Sequence, residues 1–459
     1  MANMFALNCW LKRLYRRGPR FHQYSRRLRE TGCYAQAEIE AYQDSMLRKM
    51  ILHCYQSVPF YQDLFRKLHL KPEDIQTRQD LQKLPLLDKK TIKDNFEKLL
   101  SRKHYNYLCN MGTTSGTTGM PGKFVRDFDA INFEHAIVWR HWHNAGDNGK
   151  KRISLRGDII VPASQNHPPF WRYNPANREL QLSSYHLSQA NSIHYIRKIL
   201  NFQPKVLYCG PSMGYVLAKF FRYNGIDYRF DTVFTSSESL EPEVRKFIEG
   251  TFDTHIHDWY GQAERVAAIG ECRHGTYHIQ EDYSIVELLP SDDDSSMELV
   301  GTQLFNYVMP LLRYRTQDFI DMKPEGFVCP CGSSFRCIER ILGRTYGYLL
   351  TPEGFHIAIT AHIPVGVDSV IETQFYQDRP GEVVLKVLTN GHFTESDRER
   401  LIQNTRKHTS PHMNVIVKEV NSIPRGANGK FVNIINMMDG VDGIGSPHPV
   451  KFSSKQVVE

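Results

Sequence analysis

The sequence predicts an α/β fold, with a large N-terminal domain on a mainly parallel sheet and a small C-terminal α+β domain. Three observations predict it. Apolar runs Val206–Cys209, 232–235 and 256–260 alternate with helical stretches near 188–201, 213–223 and 241–250, the order of a sheet with crossover helices. Beyond about residue 345 the order changes to a hairpin, a helix and a strand, which together make a compact α+β unit. A chain of 459 residues, 41% of them hydrophobic, is long enough to bury two or three cores.

Residues 1–34 form a basic N-terminal segment. Lys12, Arg13, Arg16, Arg17, Arg20, Arg26, Arg27 and Arg29 face Glu30 alone within the first thirty residues, while the whole chain carries +7, so the remainder is neutral. Met4, Phe5, Leu7, Trp10, Leu11, Leu14 and Tyr15 are interleaved with these bases. Two readings fit: an amphipathic helix on an anionic membrane surface, or a helix packed on the main domain. No nucleic-acid motif accompanies the arginines, so nucleic acid is not an expected partner. No apolar run approaches eighteen residues, and the opening lacks the apolar core and cleavage site of a signal peptide, so a cytoplasmic protein is expected. Nine cysteines fit reduced thiols or metal ligands better than a disulfide framework.

Residues 35–344 make the large domain. Its opening reads helical, with Ile39, Met46, Leu47, Met50, Ile51 and Cys54 recurring at spacings of three and four, and Pro59, Pro72 and Pro85 break it into short helices. Thr113-Thr114-Ser115-Gly116-Thr117-Thr118-Gly119-Met120-Pro121-Gly122-Lys123 then places five hydroxyl residues and three glycines ahead of a lysine. Backbone N–H groups, hydroxyls and one ammonium there can converge on a polyphosphate. It is not a Walker loop, because Phe124 follows Lys123 where a Mg²⁺-binding hydroxyl would stand. Helical spacing over 128–145 follows, and its His135, His141 and His143 are read as packed or surface residues on an aromatic-rich helix.

In such sheets ligands bind beyond the carboxyl ends of strands. Two predicted ends carry candidates: Ser236-Ser237-Glu238-Ser239, and Asp258-Trp259-Tyr260-Gly261-Gln262-Ala263-Glu264. Arg313-Tyr314-Arg315-Thr316-Gln317-Asp318 follows the strand-like 297–304. Cys272, His278, Cys329 and Cys331 supply one imidazole and three thiols, a complete tetrahedral set for structural zinc, with Cys337 and His274 as substitute ligands. Residues 345–438 form the mobile small domain, with 370–376 and Glu382–Thr389 pairing around Asp378-Arg379-Pro380-Gly381, a helix near 395–408 and a strand over 415–420. It ends in Pro424-Arg425-Gly426-Ala427-Asn428-Gly429-Lys430, and residues 439–459 read as a disordered tail.

Ser115-Gly116-Thr117-Thr118-Gly119-Met120-Pro121 resembles the phosphate loop of the adenylate-forming superfamily. Residues 35 to 435 resemble its phenylacetate-CoA ligase and CapK-like capsular branch. The resemblance implies that Thr114, Ser115, Gly116, Thr117, Thr118, Gly119 and Lys123 hold ATP phosphates, and that Ser237, Glu238, Asp258, Trp259, Tyr260 and Gly261 surround the nucleotide, Tyr260 stacking on adenine. It implies Glu264 as the Mg²⁺ ligand, Asp318 as the ribose ligand, Arg344 beside the phosphates and Lys430 as the catalytic lysine. Three departures stand out: Ser237 and Gln317 occupy positions where the family has glycine, and Ala263 replaces a hydroxyl residue. Thr345-Tyr346-Gly347 stands where the family has a hinge acid or lysine.

The resemblance implies ATP-dependent activation of a small-molecule carboxylic acid through an acyl-AMP, with transfer to CoA or to an amine. The alternative is a non-catalytic nucleotide-binding or scaffold protein in surface-polysaccharide biosynthesis.

Overall fold

The computed structural model describes residues 2–104, 109–113, 123–162, 164–291, 296–343, 349–354, 356–357, 363–364, 366–424 and 433–438. The phosphate loop over 114–122, Arg344 with the hinge over 345–347, Lys430 with its loop from 425, and the tail from 439 lie outside the described residues.

Two helices open the chain, α1 (Ala2–Arg16) and α2 (Pro19–Thr31), parted at the buried Gly18 with Pro19 in the first turn of α2, where its missing N–H costs nothing. Then come α3 (Gln36–Ser57) and α4 (Pro59–Lys67), which Pro59 separates, and the short α5 (Lys89–Asp94) and α6 (Phe96–Leu99). Strands β1 (Asn110–Thr113) and β2 (Lys123–Arg126) form a hairpin in which Thr113 faces Lys123, bringing the two ends of the phosphate loop together. The Asp127 carboxylate accepts from the Ala130 N–H and caps α7 (Phe128–Asn144). The basic N-terminal segment is thus helical and packed on the main domain: α2 buries Phe21, Tyr24 and Leu28, and Tyr24 meets Phe133 of α7 edge-on at 5.2 Å. Arg140 of α7 holds Asp282 through both nitrogens and donates to the Leu28 carbonyl.

The large sheet begins with β3 (Arg152–Arg156), β4 (Trp171–Asn174) and β5 (Glu179–Ser183). It continues through α8 (Ser192–Phe202), β6 (Val206–Cys209), α9 (Pro211–Tyr223), β7 (Thr232–Ser236), α10 (Pro242–Phe252) and β8 (Ile256–Gly261), the predicted alternation. Short connections then join β9 (Ala268–Glu271), β10 (Tyr277–Ile279), β11 (Ser284–Pro290), β12 (Met297–Gln303), β13 (Tyr314–Met322) and β14 (Cys337–Gly343). All twelve strands share one sheet, in the order β11-β12-β13-β14-β10-β9-β8-β7-β6-β3-β5-β4. Its parallel portion is β5-β3-β6-β7-β8, and the flanking strands are antiparallel. Helical crossovers permit parallel pairing, whereas the short links after β8 permit only antiparallel pairing. The apolar core between α8, α9, α10 and the sheet includes Leu155, Ile196, Leu217, Phe221, Phe230 and Phe252, all essentially inaccessible.

Past the large sheet lie β15 (Leu349–Leu350), β16 (His356–Ile357), β17 (Val370–Arg379), β18 (Glu382–Thr389), α11 (Glu395–His408), β19 (Asn414–Val420) and β20 (Ile434–Asn436). Four of these strands make a separate sheet, β19-β18-β17-β20, with its own core of Val370, Phe375, Leu385, Leu401 and Met413. It rests against α9: the Lys219 ammonium donates to the Val370 carbonyl, Tyr223 and His392 hydrogen-bond at 3.0 Å, and Ile371 joins the apolar core beneath α9. Burial lowers the Lys219 pKa to about 8, with Asp368 and Glu372 opposing the fall. Among the described residues no helix is long and apolar enough to cross a membrane.

Candidate active site

The five parallel strands end on one side of the sheet, and the predicted residues of β7 and β8 sit there. Ser237 follows β7 with φ 77°, a left-handed backbone in which a glycine has no Cβ penalty; this is the physical reason for the family's glycine at that position. The turn directs Glu238 under α9, where its carboxylate accepts from the Ser212 N–H at 3.0 Å. A Cβ on Gly210 would stand 3.3 Å from that carboxylate, so glycine lets the helix start approach it.

Strand β8 alternates its side chains, and this divides the predicted nucleotide segment. Asp258 turns into the interior: Thr235 donates to one carboxylate oxygen at 2.5 Å and Tyr277 to the other at 3.1 Å. Burial pushes its pKa up to about 6, despite the hydrogen bond from Thr235. Trp259 turns the other way, under α7, tilted against the His141 ring at 5.0 Å. A two-residue period sends the two side chains to the two covered faces of the sheet, with the Trp259 indole nitrogen 3.2 Å from where a Cβ on Gly261 would stand. Tyr260 is only half-buried, and its hydroxyl donates to Asp318 at 2.7 Å, joining residues 58 positions apart. Gly261 is exposed beside it.

Asp318 lies on β13, and so does the residue that anchors Glu264. The Tyr314 hydroxyl donates to Glu264 Oε1 at 3.0 Å, while Glu264 is 2% exposed and its Oε2 has no hydrogen-bond partner among the described residues. Arg126 of β2 donates to the Ala263 carbonyl, tying the phosphate-loop hairpin to this segment. Lys123 is exposed at the start of β2, and Gly343, next to Arg344, reaches Ser239: a Cβ on it would stand 2.9 Å from the serine hydroxyl. Hence β2, β7, β8, β13 and β14 all deliver predicted residues to one end of the molecule.

Two early segments, 57–61 and 83–87, brace β13 and the turn before it. Tyr61 accepts from the Leu312 N–H at 3.0 Å and donates to the Pro310 carbonyl at 3.0 Å. Leu87 bridges to Tyr314 through backbone bonds at 2.9 Å on either side. Arg313 clasps Glu287 and the Leu84 carbonyl, and Arg315 pairs with Glu298.

The second constellation closes at the far end of the sheet. The ligand atoms of Cys272, His278, Cys329 and Cys331 all lie within 4.8 Å of one another. Cys272 and Cys329 sulfurs are 3.7 Å apart, and the Cys331 sulfur is 3.4 Å from His278 Nε2. These are edge lengths of a tetrahedron with bonds of about 2.0–2.3 Å. The other imidazole nitrogen faces the Phe335 carbonyl at 3.3 Å, the outer contact typical of a metal-bound histidine. Cys337 sits on that outer side, 3.6 Å from Nδ1, and His274 is exposed and receives a hydrogen bond from Arg273, so neither substitute joins the cluster.

The chain is similar to known proteins along most of its length. The family model of the CapK C-terminal domain matches residues 349–437. Protein CapK of Staphylococcus aureus is 28% identical over 390 residues, 82% of this chain and 84% of that protein. The similarity is to the CapK-like, phenylacetate-CoA ligase-like branch of the adenylate-forming superfamily. Within this branch, the phenylacetate-coenzyme A ligase of Thermus thermophilus is 22% identical over 441 residues, 87% of this chain and 97% of that one. The fold is that of 2-hydroxyisobutyryl-CoA ligase in its postadenylation state, at a TM-score of 0.68 and 15% identity over 88% of this chain and 91% of that one.

Gln317, like Ser237, stands at a family glycine and has a left-handed φ of 60°. Gln317→Gly is expected to raise stability by up to about 1 kcal/mol by removing the Cβ conflict, while Gln317→Ala brings no gain; urea unfolding of both variants checks this.

Proposed function

We propose that this adenylate-forming ligase activates a carboxylic acid with ATP and passes the acyl group to CoA or to an amine. A carboxylate oxygen attacks the α-phosphorus, the P–O bond to the β-phosphate breaks, and pyrophosphate leaves with that electron pair. The thiol or amine then attacks the acyl carbon and AMP departs. The observation that carries this reading is the convergence of Tyr260 and Glu264 with Asp318 and Tyr314 of β13 at the strand ends, two segments fifty or more residues apart in sequence.

In this reading Tyr260 offers its ring face to adenine and orients Asp318, whose second oxygen and its partner can grip both ribose hydroxyls. Glu264 suits Mg²⁺, since its buried Oε2 lacks a partner among the described residues and a carboxylate is a ligand this ion prefers. Bound there, Mg²⁺ would offset the charge of the phosphates. Thr114, Ser115, Thr117, Thr118 and Lys123 cradle the phosphates, and Arg344 and Lys430 add positive charge where negative charge gathers during attack. The small domain carries Lys430 to the site and turns between the two half-reactions.

Lys430→Ala is expected to slow acid-dependent pyrophosphate release from MgATP at least about 100-fold with ATP still bound, and Asp318→Ala to weaken ATP binding about tenfold. Unimpaired release by Lys430→Ala would remove that lysine from the chemistry. Adding CoA or amines to the same assay identifies the acceptor.

Cys272, His278, Cys329 and Cys331 fit structural zinc that ties the β9–β10 turn to the β13–β14 link. The purified protein should contain about one zinc per chain, lost with a drop in melting temperature in Cys329→Ser and retained in Cys337→Ser. Full stability without metal would refute the assignment.

A peripheral membrane role also has support in one observation. The face of α1 turned away from α7 carries Met4, Leu7, Trp10, Leu11 and Leu14, exposed by 47–74%, within a segment rich in arginine. Such a face fits the headgroup region of an anionic bilayer. The protein should sediment with phosphatidylglycerol vesicles but not with phosphatidylcholine vesicles, and Leu7→Glu/Leu11→Glu should abolish it; a variant that still binds would sink the reading.

A further inference from the structure

Among the parallel strands the chain runs one way from β3 to β5 and the other way from β6 to β7 and β8, so a crevice opens between the ends of β3 and β6. Polar groups line it. Arg156 ends β3, with its guanidinium carbon 4.7 Å from the centre of the Tyr208 ring on β6. Tyr208 is 3.1 Å from the Ser236 hydroxyl at the end of β7, and Ser236 is 3.4 Å from the Ser237 hydroxyl.

More arginines enter from the sides. Arg16 comes from the last turn of α1, Arg126 from β2 and Arg265 from the loop after β8. Burial among these elements pushes the Arg16 pKa down, Asp158 opposes it, and the charges of Arg265 and Arg156 add to it. Burial likewise holds His135 of α7 well below its usual value, with Arg16, Arg265 and Arg17 adding to the effect. Helix, strand and loop therefore share one positively charged space.

Among its acids, Glu134 takes the Tyr283 hydroxyl and sits 3.9 Å from Arg265, and Asp158 and Glu179 are the carboxylates that Arg16 and Arg156 sense without forming an ion pair among the described residues. Arg126 keeps a buried Nε without a partner among the described residues. Among the described residues no hydrogen bond or ion pair engages Arg16 or Arg156, and both side chains are accessible. Unpaired guanidiniums in a concave, partly dry space favour an anion, which they can bind bidentately.

The crevice adjoins the nucleotide residues, since Arg265 follows Glu264 and Arg126 donates to the Ala263 carbonyl. An acid with its reacting carboxylate near Glu264 extends its far end toward Arg156. We propose that the acid activated by this protein carries a second anionic group, a carboxylate or phosphate, held by Arg156 and Arg16 in the crevice between β3 and β6. This rests on the activation reading. A purely apolar acyl group would leave both guanidiniums unpaired.

The test is pyrophosphate release from MgATP by the full-length chain with matched acids: glutarate against pentanoate, 4-carboxyphenylacetate against phenylacetate, and 3-phosphoglycerate against glycerate. At least one pair should favour the doubly charged member by about tenfold or more in kcat/KM, and the pair that does so tells carboxylate from phosphate. Arg156→Met and Arg16→Met should each erase most of that advantage with ATP affinity unchanged. Equal or better use of the singly charged acids overturns the inference and leaves activation standing. So does a loss of CoA affinity in both variants with the preference intact, which would assign the arginines to the phosphates of CoA. Silence with every acid while ATP binds overturns the activation reading, and the inference with it.

Discussion

The hydrogen bond from Tyr314 to the buried carboxylate of Glu264 is the contact on which the site is built. Burying a carboxylate is costly unless partners satisfy it, and Glu264 has one oxygen satisfied and one left open. The surrounding structure offsets that cost. Tyr314 is fully buried and pinned by Leu87, and the turn before it is held by Tyr61, Glu287 and the Leu84 carbonyl. A helical opening with no evident chemistry thus serves as the mould for the Glu264 end of the site.

Backbone strain gathers in the same place. Of eight non-glycine residues with positive φ among the described residues, Ser237, Arg265, Arg313 and Gln317 all flank the strand ends. Each costs on the order of 1 kcal/mol and persists only where neighbours dictate the conformation. Gln317 illustrates this: its N–H donates to Glu298, which also pairs with Arg315. Two departures from the family's glycines therefore change the residue while preserving the turn. The strand ends keep left-handed turns at Ser237 and Gln317 despite a sequence difference that, read alone, casts doubt on them.

The N-terminal helices join this scheme from outside. Because α2 is stapled to α7 and to Asp282, the end of α1 is held over the crevice at the β3–β6 switch, where Arg16 meets the field of Arg156 and Arg265. Charge that reads in sequence as a uniform basic tail is divided by folding. Arg17 stacks on Trp139 at 4.2 Å, Arg20 pairs with Asp129, and Arg16 turns to the crevice.

Much was legible in the residues themselves. Strand and helix positions from 192 to 261 followed from apolar runs and turn signals, because local patterning dominates where each element buries one face. The four metal-type ligands were legible because few chemistries call for one imidazole and three thiols. Side-chain direction within β8 was not, since motif resemblance treats Asp258, Trp259 and Tyr260 as one group while the pleat sends them to different faces. The antiparallel half of the sheet was equally hidden, because strand partners are chosen by connections and register rather than by composition. Sequence alone determined the order of elements and the charged, hydroxyl, thiol and imidazole residue types available to the site. Only the tertiary structure decided which of them meet, because hydrogen bonds such as Tyr260 to Asp318 join segments that no local rule relates.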